Sequence, residues 1–151
     1  EDLKAVARAG AMTVSCPRSN GILGDGIPDL AAWVRAGIPF AMGTDNVMLA
    51  APDMLREMDF ASRITRGVQR DPVALDHRVL LEAATINGAR ALHLEDRLGS
   101  LKPGKDASFI VFDLESPNLC YSRNPSSSIV HRAGLADIFA IYILGKPYQP
   151  V

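Results

Sequence analysis

The sequence predicts an α/β fold: two short parallel strands, each set between helices, followed by a strand-rich tail. Two observations predict it. The apolar runs at residues 11–16 and 38–42 stand between helical patterns at short spacing, and crossovers of that kind give parallel strands covered on both faces. Beyond Gly99 the pattern changes kind: residues 109–114 and 138–144 are apolar runs bounded by turn residues, which read as strands.

Taken in order, residues 1–9 put Leu3, Val6 and Ala7 on one helical face, and Gly10 is a stop. The first strand, 11–16, ends at Pro17. Residues 18–26 hold Ser19, Asn20 and three glycines and read as a loop. Pro28 and Asp29 open a helix through Leu30, Trp33 and Val34, closed by Gly37. The second strand, 38–42, runs into Gly43, Thr44, Asp45 and Asn46. Pro52 opens a longer helix to about Thr65, with Leu55, Met58 and Ile64 inward and its charged residues on a solvated face. Turn-forming residues cluster over 67–76. Residues 80–92 are helical with an interruption at Asn87 and Gly88, and the tail carries no helical pattern between its strands, so Ser126 to Ser128 read as loop. The seam between two units falls between Arg97 and Pro103, dividing the chain into 1–97 and 98–151.

Bulk properties narrow the function. With 16 basic and 17 acidic residues the net charge is -1, which gives no electrostatic reason to expect nucleic acid or an anionic membrane as partner. No apolar run approaches the roughly 20 residues that span a bilayer. Cys16 and Cys120 form no CxxC pair, so neither a disulfide framework nor a zinc knuckle is expected, and a cytoplasmic location is. The chain opens at Glu1 inside a helical pattern, which predicts that it starts partway through a longer protein.

Asp45 is the sharpest chemical feature. It follows an apolar strand directly, and in α/β barrels the reacting groups sit at the carboxyl ends of strands, where an aspartate can serve as general base or metal ligand. An Asx-turn or a helix-capping aspartate would produce the same local pattern. Ser19 and Asn20, at the end of the preceding strand, either face a substrate or form a polar turn. Asn46 either touches substrate or orients its loop. Cys16 has no histidine nearby in sequence to activate it and reads as a buried structural thiol. His77, His93 and His131 lack HxH or HExxH spacing and read as surface or packing residues. The GKDAS segment lacks the spacing of a phosphate loop and reads as a turn into a strand.

The order of several motifs carries more than any one of them. SCPRSN ends one strand and GTDN the next; EAATINGARAL, LGSLKPGKDASFIVFD and a closing ILGKPY follow. This ordered set resembles the amidohydrolase superfamily, especially its cytosine deaminase and chlorohydrolase-like branch. There the seventh strand ends in Cys-Pro-x-Ser-Asn, the eighth in Gly-Thr-Asp, and a T-x-N-x-A-x-x-L helix leads to an LG-x-L-x-PGK-x-AD turn. Ser108 stands where that turn has Asp, at the start of a strand and away from the chemistry.

The resemblance implies the carboxyl-terminal part of a TIM (β/α)8 barrel, followed by strands of a small composite β-sandwich domain. It implies a divalent metal, zinc with iron or manganese as alternatives, held by a His-x-His pair, two further histidines and the aspartate of the eighth strand. Only the aspartate, Asp45, is present here. The implied reaction is hydrolysis at a carbon-nitrogen bond, such as deamination of a small nitrogen heterocycle, by metal-activated water with Asp45 as proton shuttle; Ser19, Asn20 and Asn46 line the pocket. A full barrel takes about 250 residues, so this segment alone is expected to be inactive and to expose apolar surface on both strands, either for the rest of the same protein or for a second copy. A non-catalytic scaffold derived from the same fold is the alternative.

Overall fold

The computed structural model describes residues 2–148. Helix α1 (Asp2–Ala9) leads to strand β1 (Thr13–Ser15), then come α2 (Pro17–Leu23), α3 (Leu30–Arg35) and strand β2 (Phe40–Met42). The two strands pair in parallel, Thr13 opposite Phe40 and Ser15 opposite Met42, as the short helix-strand spacing predicts. On α1, Val6 and Ala7 are half-buried, while the side chain of Leu3 lies outside the described residues. Helix α4 (Met54–Gln69) follows, then α5 (His77–Ala84) and α6 (Ile86–Ala91). The tail holds β3 (Phe109–Phe112), α7 (Pro125–Arg132), β4 (Ile138–Ile143) and β5 (Lys146–Pro147). Its three strands form an antiparallel sheet in the order β3-β4-β5. No helix among the described residues is long and apolar enough to cross a membrane.

One core joins the two regions. Leu30, Phe40, Met42, Leu55, Met58, Leu75, Leu80 and Val130 pack together, with Trp33, Phe112 and Ile129 against them. Trp33 meets Phe40 edge-on, with ring centroids 5.9 Å apart, a favoured aromatic geometry. A bulge between Val111 and Phe112 changes the register, so that Phe112 lies opposite Ile138 and reaches the core. Val130 brings α7 onto α4 and α5.

Several expectations need correcting. Residues 17–23 are helix, not loop: Pro17 occupies the first turn, where a missing N–H costs nothing, and Gly24 closes the helix at φ +75°. Helix α4 runs past Thr65 and through Gly67 to Gln69, and Arg70 ends it in the left-handed region at φ +54°. The break in 77–91 falls at Thr85, whose Oγ1 donates to the Leu81 carbonyl at 2.6 Å, rather than at Asn87 and Gly88. A helix, α7, does stand between the tail strands and takes in Ser126 to Ser128; Asn124 caps it by accepting the Ser127 N–H at 3.2 Å. Finally, β2 is buried throughout while β1 leaves Val14 at 56% exposure, so only the first strand shows an open apolar face.

Two buried contacts fix β2 and the turn into the tail. Asn87 Nδ2 donates to the Phe40 carbonyl at 3.0 Å, tying α6 to β2. Gly99, at φ +81°, lies so close to α6 that a Cβ there would stand 2.7 Å from Ile86 Cα, which no larger residue allows. Beyond it, Lys105 Nζ donates to the Glu95 and Leu98 carbonyls. That bonding makes the GKDAS segment a turn into β3, as its spacing predicts.

Candidate active site

Both parallel strands end at the same edge of their sheet, so the segments leaving them meet there. The ladder continues one step beyond β2, with the Gly43 N–H donating to the Ser15 carbonyl at 3.0 Å. Glycine suits position 43, where a Cβ would stand 3.1 Å from Cys16 Sγ and 3.3 Å from Val14 Cγ1 and crowd both side chains. The chain then turns sharply at Asp45, which has φ +55°. Aspartate is among the few residues that adopt this conformation at modest cost.

The turn leaves Asp45 exposed, with its carboxylate directed to the first turn of α2. Ser19, at 0% exposure, donates from Oγ to Asp45 Oδ2 at 2.6 Å. Oδ1 accepts no hydrogen bond among the described residues. One oxygen is therefore held and the other is open, as a proton acceptor or metal ligand requires.

Cys16 sits between the two strand ends. Burial first, then the negative charges of Asp45 and Glu57, push its thiol pKa up, against a smaller lowering by the nearby backbone N–H groups of Asp45 and Gly43. A raised pKa disfavours the reactive thiolate, so the structural reading of this cysteine stands. Asn20 is half-buried on α2, and its carbonyl accepts the Gly24 and Asp25 N–H groups at the helix end. Asn46 is exposed; its Oδ1 accepts the Met48 N–H at 2.8 Å and shapes the loop after Asp45. The structure thus brings Ser19 and Asp45 into contact and leaves Asn46 on the neighbouring turn.

Sequence reasoning missed Glu57. The charge pattern places it on the solvated face of α4, but its side chain is at 0% exposure. Its Oε2 accepts the Arg18 N–H at 3.1 Å and its Oε1 lies 3.4 Å from the Arg18 guanidinium. Burial nonetheless pushes its pKa up, because desolvation disfavours the charged form. The small residues Ala61 and Ser62, one turn along the same buried face, are the signal that would have found it.

The histidines lie elsewhere. His77 starts α5 and His131 is on α7, where Nε2 of His77 is 3.1 Å from Ser126 Oγ. His93 takes φ +55° in the turn after α6. Among the described residues no group of three His, Cys, Asp or Glu could hold a metal. Asp45 fits a divalent cation as a single oxygen ligand, and the other donors of such a site are not found among these residues.

The amidohydrolase family model matches residues 1–146. The chain is 39% identical over 147 residues to a 5-methylthioadenosine/S-adenosylhomocysteine deaminase of Teredinibacter turnerae, covering 97% of this chain and 33% of that protein. It is 35% identical over 145 residues to the enzyme of the same name from Desulforudis audaxviator, covering 95% of this chain and 34% of that one. Among solved structures, a zinc-bound adenosine deaminase from Xanthomonas campestris superposes with a TM-score of 0.91 at 34% identity, over 97% of this chain and 34% of its own. The chain thus spans about a third of the length of the curated relatives it matches. With the family model matched over residues 1–146, the chain belongs to the amidohydrolase family.

Proposed function

We propose that these residues serve a hydrolytic deaminase that acts on a small aminated purine nucleoside of the adenosine type, with Asp45 as the group that moves the proton. The observation that carries this reading is the split state of the Asp45 carboxylate, with Oδ2 bonded to Ser19 and Oδ1 open at the end of β2. The relatives named as adenosine and 5-methylthioadenosine deaminases support the substrate class.

The reaction replaces an exocyclic amino group by the oxygen of water and releases ammonia. A divalent metal, zinc by the chemistry of the bound structure above, lowers the pKa of water toward neutrality when present. Asp45 Oδ1 accepts the proton that the attacking water loses and returns it to the departing nitrogen, a general acid-base role. Ser19 holds Oδ2 and acts through Asp45 rather than on the substrate, since its hydroxyl is buried. Asn20 and Asn46, on the two segments that leave the strand ends, are the substrate-facing side chains. The open side of β1 takes the next barrel strand, and the exposed Ile110, Phe139 and Ile143 of the antiparallel sheet take the second layer of a small β-sandwich. The division at 97/98 separates those two units, and the two free thiols suit a reducing cytoplasm.

The direct test uses the protein at its natural length, purified with zinc. Ammonia release from adenosine or 5-methylthioadenosine, with close to one equivalent of bound metal, is the expected result. No turnover of either, in a folded preparation with zinc bound, would favour the non-catalytic scaffold.

A further inference from the structure

The contacts beneath Asp45 form a continuous series. Glu57 projects from α4 and is wholly buried, and it takes both the N–H and the guanidinium of Arg18. Arg18 also donates from Nη1 to the Ala51 carbonyl at 3.2 Å, in the loop that follows Asp45. The next residue, Ser19, donates to Asp45 Oδ2. Helix α2 has seven residues, and its capping residue, Cys16, offers no side-chain hydrogen bond. So short a helix does not hold itself in water, and the Glu57 carboxylate supplies the acceptor that its first turn lacks.

An ion pair with one partner wholly buried is a poor way to gain stability, since apolar residues of the same volume often do as well or better. What Glu57 provides that an apolar side chain could not is a fixed acceptor for one particular N–H, one residue before the serine that grips Asp45. We propose that Glu57 and Arg18 are a positioning pair that sets the Asp45 carboxylate through Ser19, so that Oδ1 is the oxygen presented for proton transfer. This rests on the deaminase reading for its kinetic consequence, but not for its structural one.

The test is a double-mutant cycle in the zinc-loaded, natural-length protein, with adenosine as the substrate probe. Glu57→Ala and Ser19→Ala each lower kcat by about 10- to 100-fold, the scale of a small misplacement of a reacting group, and change KM by less than about twofold, because neither touches substrate. The double variant loses no more than the worse single, since both act through one bond. Glu57→Gln keeps an acceptor oxygen for the Arg18 N–H and recovers most of the loss. Multiplying losses in the double variant, or unchanged kcat in Glu57→Ala, would overturn the pair's role. If Glu57→Ala does not fold, Arg18→Ala takes its place in the cycle with Ser19→Ala, and Glu57→Gln serves as the near-native control. A second readout needs no turnover. Crystal structures of the metal-free Glu57→Ala or Arg18→Ala protein are expected to show Ser19 Oγ displaced from Asp45, with faster amide exchange over residues 18–23. A retained bond at the native 2.6 Å refutes the proposal. Absence of activity in the unmutated protein refutes the deaminase reading alone.

Discussion

Asp45 and Asp137 are both aspartates at the edge of a strand, and they are used in opposite ways. Asp137, just before β4, is at 1% exposure with both oxygens engaged: Ser116 Oγ donates to Oδ1 at 2.6 Å, Asn118 Nδ2 reaches both oxygens, and the Gly134 N–H donates to Oδ2 at 2.7 Å. Those donors, with Ser116 the strongest, hold its pKa below the usual carboxylate value. Asp45 is exposed, sits in the left-handed region and has one bonded oxygen. A satisfied, buried carboxylate stabilises a fold; a half-satisfied one at the carboxyl end of a parallel strand is free for chemistry. The antiparallel tail and its junction are therefore expected to govern stability, and the ends of β1 and β2 to govern turnover.

Substitutions outside the strand ends should break that comparison if it is false. The largest effect is expected from Gly99→Ala, which adds the cost of a left-handed alanine to that of overpacking against Ile86, about 4 kcal/mol in all. Denaturant unfolding would measure it. Asp137→Ala removes the shared acceptor of three donors, of which Ser116 Oγ is buried, and should cost about 3 kcal/mol, with kcat per folded molecule unchanged. Asn87→Ala leaves the Phe40 carbonyl without its partner beneath β2, at about 2 kcal/mol. The smallest effect is a pH dependence. Burial first, then the Arg66 guanidinium, holds the His131 pKa below its usual value. The unfolded chain thus binds that proton more readily, so the stability is fully present above the unfolded pKa of about 6.5 and is lost as pH falls toward the lowered folded value. His131→Gln should flatten the slope of thermal midpoint against pH below neutrality; an unchanged slope would assign that acid sensitivity to another group.

What could be read from sequence followed the same division. The parallel strands and Asp45 were legible because apolar runs and glycine-bearing strand ends are local patterns, and their order along the chain adds to each. Helix α7 had a readable start, Asn124 followed by Pro125, but its serine-rich first turn resembles loop. Helix α2 was not legible, since much of what holds it is the Glu57 carboxylate of α4, which lies 39 residues away in sequence. The burial of Glu57 was hidden for the same reason: charged side chains default to the surface unless a partner is known. Thr85 breaks its helix by bonding back to the Leu81 carbonyl, a side-chain choice that propensity alone does not reveal.

The central claim is tested most directly by turnover of Asp45→Asn beside Asp137→Asn in the zinc-loaded, natural-length protein with adenosine, each rate divided by the folded fraction. The account predicts that Asp45→Asn lowers kcat by about 10²- to 10⁴-fold, the range for a general base, with its thermal midpoint nearly unchanged. Asp137→Asn should lower the midpoint and leave kcat in place. Normal turnover in folded Asp45→Asn would contradict the account.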